Sequence, residues 1–577
     1  MVFYPPSWVP DLPDIPDSIS LEDFLNNEKH GRHAIHASRN PFTCGLTGKT
    51  YSAQEASQRT DHLARAIRTR FSFNPDEGTE WDRVLAIFSL NTIDYISFAL
   101  AVHRCNGIVT PASAAYSAPE LEHQLRSSGA KGIFTCVPLL ETALRAAKAV
   151  GIAEDAIFLL PVPGFSSEKL PFQTVDDLIV EGKRLPAVEP LRWVKGQGAR
   201  QTAFLSYSSG TSGLPKAVKV SHRNVIANVI QMALFERVAR DKLGVKTQVV
   251  LGVLPLSHIY GLVLVGLVSC YRGDEVVVLP RFDLDAFLAA VQRFKIEQLD
   301  VVPPILIQII TNQAKCDKFD LSSVRVVFSG AAPLGSELTY DILRKYPKWH
   351  VVQGYGMTES SPLITSTSEL DVLVGSSGSL IPGFKAKVID ADGNEVVEYD
   401  KRGELLVQSP AVVIGYLNNE KANAETFVWH EDGRWLKTGD EVLVRRSEQG
   451  HDHFFIVDRI KELIKVNGHQ VAPAELEAHL LIHPFVADCA VIQVHDPRAG
   501  EVPKAFVVKS KEGEGESDEK AIASITKHVE DHKARHKWLK GGVEFIETIP
   551  KSASGKILRR MLRDLEKDTQ RSKGPKL

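Results

Sequence analysis

Apolar, β-rich runs recur at 249–254, 275–279, 299–302 and 324–329, and they alternate with stretches of helical spacing such as 284–294. That alternation predicts an α/β fold of parallel sheets flanked by helices. After Gly378 the texture shortens. Strand-like 385–390, the turn Ala391-Asp392-Gly393-Asn394 and strand-like 403–407 predict a smaller β-rich subdomain. Near Asp458 the pattern changes again, to IVDRIKELIKVNGHQVAPAELEAHLL, which reads as a strand, a basic turn and a helix beginning near Pro473. A boundary there divides the chain into a large domain, 1–457, and a small α+β domain, 458–577. Within the small domain the polar stretch 511–520 reads as a solvated loop. Ile557, Leu558, Met561, Leu562 and Leu565 follow the spacing of a closing amphipathic helix.

A chain of 577 residues exceeds what one hydrophobic core organises, in agreement with two domains. Its formal charge of −3 excludes the strongly basic balance of a general nucleic-acid binder and points to a small-molecule partner, with room for a local basic cleft. The cysteines, Cys44, Cys105, Cys136, Cys270, Cys316 and Cys489, are scattered without a CxxC pair and read as reduced core residues. The Pro- and acid-rich start lacks the basic and apolar segments of a secretory signal. The most apolar stretch, 249–271, is broken by Pro255, Ser257 and His258, so buried strands and a helix are expected there and no transmembrane segment. The terminal Pro575-Lys576-Leu577 is similar to a Ser-Lys-Leu peroxisomal address, with proline in place of the small residue. Recognition by the peroxisomal import receptor and residence in the cytoplasm both remain open.

Five segments carry candidate chemistry. In SYSSGTSGLPK (206–216), Gly210 and Gly213 allow a tight turn, Ser208, Ser209, Thr211 and Ser212 offer hydroxyls, and Lys216 adds charge. Such a turn is able to cradle phosphates, though its spacing is not that of a P-loop, and taken alone it is more often a plain loop. In QGYGMTES (353–360), Tyr355 could stack on a purine, while Thr358 and Glu359 supply the hard oxygens that suit magnesium. Thr438-Gly439-Asp440 and Asp458-Arg459 place an acid and a base where ribose hydroxyls could be held, and PKSASGKILRR (550–560) sets Lys556 after a Ser-Gly turn, able to reach into a cleft. Each of these is weak by itself, because surface acids and bases are common.

Together and in this order, the segments resemble the acyl-adenylate-forming superfamily of acyl-CoA and aryl-CoA ligases, firefly-type luciferases and peptide-synthetase adenylation domains. The likeness covers 30–565 and is strongest to 4-coumarate:CoA ligase-like enzymes, through LPLSHIYGL (254–262), SGAAPLG (329–335) and VDRIKELIKVNGHQVAPAELE (457–477). The resemblance implies an enzyme that uses MgATP to form an acyl-adenylate and then an acyl-CoA thioester, with ATP, magnesium and coenzyme A as cofactor or co-substrate. It implies Lys556 as the catalytic cation, pyrophosphate release through the 208–216 loop, Gln353, Gly354, Tyr355 and Thr358 on AMP, Glu359 on magnesium, and Asp440 and Arg459 on ribose. The acyl pocket implied is Tyr260, Leu264, Ala331, Gly356, Pro362 and Leu363, with Ala331 also lining the adenine site; His258 is either the gate of this pocket or a packed core histidine. A mobile small domain would swing about Asp458 and present Lys465, Gly468 and Gln470 to coenzyme A, which Arg281 would also contact.

Several positions depart from the family pattern. Ala217 follows the loop lysine in place of glycine, Ser257 precedes His258 where phenylalanine is frequent, and Asn467 replaces a lysine that contacts coenzyme A in the plant enzymes. GELLVQS (403–409) and the apolar Leu264 also depart from the hydroxycinnamate specialists, so an aliphatic or unsubstituted aryl acid fits the inferred pocket better. Rival readings are an adenylating enzyme that loads a carrier protein and a luciferase-like oxidase. A purely ligand-binding homologue would be expected to lack some of Lys216, Glu359, Asp440, Arg459 and Lys556, and all five are present.

Overall fold

The computed structural model describes every residue except 168–169, 209–214, 468, 553–554 and 573–577. Ser209, Gly210, Thr211, Ser212, Gly468 and the terminal tripeptide therefore lie outside the described residues. Three sheets build the large domain. A nine-stranded sheet runs in the spatial order Ser379–Leu380, Leu363–Ser366, His350–Gly356, Val326–Ser329, Gln298–Val301, Val249–Gly252, Glu275–Val278, Phe42–Cys44 and Thr50–Tyr51. Its six central strands, from His350–Gly356 to Phe42–Cys44, include all four runs read from the sequence and pair in parallel along the middle of the sheet. The run 284–294 is the helix Leu284–Phe294, started by the Asp283 side chain, which accepts from the Ala286 N–H. A seven-stranded sheet lies beside it, and one apolar core joins the two.

The β-rich subdomain is a six-stranded antiparallel sheet containing Lys385–Ile389, Gly403–Gln408 and the long strand Gly433–Arg446. Its strand Asp452–Arg459 stays paired with Gly433–Arg446 through Arg459, so Asp458 sits inside this sheet. The small domain's own five-stranded sheet opens with Ile464–Val466, and the residues 460–463 connect the two. Asp458 spans the junction chemically: its carboxylate accepts from the Ala474 N–H at 3.0 Å, at the start of the helix Pro473–Leu480. The apolar clusters of the small domain are built from residues 464–562 alone.

Two expectations are corrected. The stretch 511–520 is not a loop: it forms the short helix Lys511–Glu514 and the first turn of Asp518–His532, because Ser510 and Ser517 each cap a helix through the side-chain oxygen. The closing helix, Arg559–Ser572, starts after Ile557 and Leu558 and buries Leu562, while Met561 and Leu565 face solvent at 57% and 44% exposure. Arginine anchors take over the docking those two residues were expected to supply. Arg559 makes a bidentate pair with buried Glu477 at 2.8 and 2.7 Å, and Arg563 pairs with Glu462 at 2.7 Å.

The two sheets that flank the site meet at Gly378. Its φ is +88°, its carbonyl accepts from the Phe454 N–H, and a Cβ there would lie 2.0 Å from the Ser366 carbonyl carbon. Both the left-handed backbone and the backbone contact forbid a side chain. Gly378→Ala is expected to cost at least about 2 kcal/mol and to lower the thermal midpoint by roughly 5 °C or more; calorimetry showing an unchanged midpoint would refute this account of the junction.

Candidate active site

The strand His350–Gly356 carries Gln353, Gly354, Tyr355 and Gly356 out of the nine-stranded sheet toward the six-stranded one. Gln353 is buried and its Oε1 accepts from the Leu334 N–H at 3.1 Å, which pins the 330–335 loop in which Ala331 holds a left-handed φ of 66°. Tyr355 donates to Asp440 Oδ2 at 2.5 Å and so ties the two sheets together. Gly356 permits the sharp exit, since a Cβ there would lie 2.0 Å from the Pro362 carbonyl oxygen.

The following turn, Thr358–Ser360, buries Glu359, whose Oε1 accepts from the Tyr416 hydroxyl at 2.8 Å. The Lys216 amine stands 4.7 Å from the centre of the same tyrosine ring. One aromatic thus holds a cation on its face and a carboxylate at its hydroxyl, and it fixes the loop lysine relative to Glu359. Ser208, half-buried at the end of Thr202–Ser208, lies opposite Lys216 in the hairpin that brackets 209–215.

Asp440 and Arg459 are paired across adjacent strands, with Arg459 Nε 3.6 Å from Asp440 Oδ1. Burial pushes the Asp440 carboxyl above its ordinary range, opposed by Arg459, the Tyr355 bond and Lys556. Burial, and then the Asp440 charge, raises the Tyr355 hydroxyl well above its usual value. This corner is therefore a desolvated cluster in which each charge leans on the next.

Lys556 enters from the small domain. The backbone at Gly555 abuts Val302 and Pro304 just beyond the strand Gln298–Val301, where a Cβ would be 3.2 Å from Val302 Cγ2. Burial and the neighbouring Arg459 lower the Lys556 amine to about 8, while Asp440, Glu359 and Glu462 act in the opposite sense. His258 shares the cleft: burial first, and the Lys556 charge second, bring its ring down to about 4, so it is neutral near pH 7. Its Nδ1 accepts from the Tyr260 N–H at 3.3 Å, which leaves Nε2 as the protonated nitrogen.

On the acyl side, Tyr260 and Leu264 lie on the buried π-helical segment Tyr260–Val268. The Tyr260 hydroxyl donates to the Phe328 carbonyl at 3.1 Å. Leu363 is held by Asn228 from both directions, at 2.9 and 3.1 Å. Pro362 precedes it and faces Gly356.

Not every sequence-derived residue converges here. Lys465 and Gln470 face each other on the hairpin of Ile464–Val466 and His469–Val471, both exposed, and Arg281 is exposed beyond Glu275–Val278. Conversely, sequence reading passed over Tyr416, Glu462, Asn228 and the Val302/Pro304 seat of Gly555. Tyr416 is recognisable only once Gly415–Tyr416 is seen to pair with Lys216–Ser221. Among the described residues one group of three potential metal ligands occurs, His479, His528 and His532, and it lies away from this cleft between two small-domain helices. There, His479 and His528 stack at 4.2 Å and each spends a ring nitrogen on the other's carbonyl.

Comparison with known proteins agrees with this geometry. Residues 26–417 match the family model of the AMP-binding enzymes, and 475–556 match that of the AMP-binding enzyme C-terminal domain. The acyl-CoA ligase AKT1 of Alternaria alternata is 42% identical over 98% of this chain and 97% of its own. The acyl-CoA ligase easD of Emericella nidulans is 38% identical over 98% of this chain and all of its own. Among solved structures, the anthranilate CoA ligase AuaEII in complex with anthranoyl-AMP shares the fold at a TM-score of 0.79 and 22% identity, over 96% of this chain and 98% of that one. ATP-bound MatB from Rhodopseudomonas palustris does so at 0.76 and 23%, over 96% and 99%. Full-length likeness to acyl-CoA ligases, two matched family models and the convergence of five sequence segments on one cleft together place the chain in the AMP-binding enzyme family.

Proposed function

We propose that the chain is an ATP-dependent acid:CoA ligase that joins a carboxylic acid to AMP and then passes the acyl group to coenzyme A. The observation that carries this reading is Lys556, an amine delivered by one domain and buried against Asp440, Arg459 and Glu359 of the other. A carboxylate is a poor electrophile at neutral pH and needs a better leaving group. In the first half-reaction an acid oxygen attacks the α-phosphorus of ATP, the bond to the β-phosphate breaks, and pyrophosphate departs past Ser208 and Lys216. Lys556 lies between the two anions, lowers their repulsion and stabilises the charge that gathers on the transferring phosphate. Gln353, Gly354, Tyr355 and Thr358 hold AMP, Asp440 and Arg459 hold ribose, and neutral His258 with Tyr260 shapes the entry to the acyl pocket.

The donor set at Thr358 and Glu359, one buried carboxylate beside a hydroxyl, fits magnesium, which takes most of its ligands from phosphates and water. When bound it would neutralise phosphate charge. In the second half-reaction the small domain turns about 458–463, withdraws Lys556 and brings Lys465, Gly468 and Gln470 to the cleft. The coenzyme A sulfur then attacks the acyl carbonyl and the bond to AMP breaks. Full-length similarity to chains named acyl-CoA ligases favours coenzyme A over a carrier protein as acceptor.

Lys556→Ala is expected to reduce acid-dependent pyrophosphate release by about 10²–10³-fold. Thioester formation from a supplied acyl-adenylate and coenzyme A should stay within about tenfold of the parent enzyme; equal loss of both would refute the division of labour. The amine is charged below about pH 8, so kcat/KM for MgATP should fall as pH rises through that value. Lys556→Arg, which cannot deprotonate in this range, should abolish that limb; a falling limb kept in the arginine variant would assign it to another group. The tail ending in Pro575-Lys576-Leu577 is proposed as a peroxisomal address, and fusion of the last dozen or so residues to a fluorescent protein should give punctate fluorescence if so and diffuse cytoplasmic fluorescence if not.

A further inference from the structure

Two helical stretches wall the acyl side, His222–Leu243 and the run from Tyr260 to Arg272, and along both the side chains change in the same order at four-residue steps. Asn228, which holds Leu363, is followed by Met232, Glu236 and Arg240. Tyr260, whose ring lies against Gly330, is followed by Leu264, Val268 and Arg272. Each step advances about 5–6 Å along a helix. Both walls thus pass from pocket residues to apolar ones and then to charges as they leave the reaction centre. The strand Gln298–Val301 is layered alike, with Val302 at the cleft and Asp300 and Gln298 successively deeper.

The deep polar groups form one connected layer. Arg272 pairs with Glu236, and its Nε donates to Asp274 at 2.8 Å. Asp274 also accepts from Arg240 at 2.7 and 2.9 Å and from the Gln248 N–H at 2.9 Å. The Gln248 side chain donates to Gln298, which in turn donates to Asp300 at 2.9 Å. Arg325 closes the layer, donating to Gln248 at 2.8 Å and pairing with Glu369. Two gaps border it, of about 10 Å³ behind Leu264 and about 20 Å³ behind Phe328, each with space for no more than a water molecule. An alkyl chain driven past Leu264 and Met232 would have to part these groups and leave buried charges unanswered.

We propose that this ion-paired layer closes the acyl pocket, that Leu264 is the floor on which the acyl chain ends, and that the substrate is a short or medium-length aliphatic acid rather than a long-chain fatty acid. This rests on the ligase reading above and adds the substrate class to it. Up to the floor, each further carbon exchanges water for the apolar wall and strengthens binding. Beyond it, the next carbon meets a wall that yields only by breaking buried ion pairs.

The test is acid-dependent pyrophosphate release across straight-chain acids of about four to eighteen carbons, with benzoic and cinnamic acids beside them. Among the straight-chain acids kcat/KM should rise about three- to fourfold with each added carbon up to an optimum. It should then fall by about 100-fold over the next few carbons. In Leu264→Ala, which shortens the floor, the optimum should move to acids about two or three carbons longer while the parent's best acid declines, and the longest acids should stay excluded because the ion-paired layer is intact. Leu264→Phe should move the optimum the other way. A profile still rising at the longest acids would overturn the proposal while leaving the ligase reading intact, as would release with the aryl acids alone or an unmoved optimum in folded Leu264→Ala and Leu264→Phe enzymes. Absence of pyrophosphate release with every acid would overturn both.

Discussion

Everything at the candidate site depends on one constraint: an amine from the small domain is buried among charges that belong to the large one. Removing an ammonium from water is unfavourable unless neighbouring acids answer it. Here Asp440, Glu359 and Glu462 oppose the effect of burial and of Arg459 on Lys556. The docked position of the small domain is thus an electrostatic solution as much as a shape fit, with Gly555 seated on Val302 and Pro304 as its steric part.

The fold provides this corner by ordinary sheet logic. Parallel strands deliver their loops to one edge, where open α/β sheets place ligands. Val301, Ser329 and Gly356 are the ends of three neighbouring strands, and the chain beyond each contributes to the cleft: the Val302 seat, the Ala331 loop and the Glu359 turn. The antiparallel sheet supplies the opposite wall with Asp440 and Arg459 in register. Tyr355 and Tyr416 are the cross-links, one joining the two sheets through Asp440 and the other joining Lys216 to Glu359.

The sequence made legible those features that local chemistry writes directly. Runs of Val, Ile and Leu marked the central strands to within a residue or two, and the helix Leu284–Phe294 was readable from its spacing. The motif residues Lys216, Glu359, Asp440, Arg459 and Lys556 were readable as a set, since their order along the chain carries the family likeness. What escaped depends on contacts distant in sequence. Polarity made 511–520 look like a loop although Ser510 and Ser517 are helix caps, and helical spacing made Met561 and Leu565 look buried where Arg559 and Arg563 do the anchoring.

The same electrostatics supplies a reason for the two half-reactions to be separated in time. On the proposed reaction, ATP brings a run of phosphate charges that strengthens the hold on Lys556, and departure of pyrophosphate removes most of them. The amine is then left with an adenylate carrying a single phosphate charge, in a cleft where its ionised form is already disfavoured relative to water. Loss of the product therefore weakens the interaction that keeps the small domain docked. Asp458, which caps the first helix of that domain while remaining in the large domain's sheet, lies at the point about which release would have to occur. On the proposed reaction, chemistry and domain movement would be coupled because one buried charge would serve as both catalyst and latch.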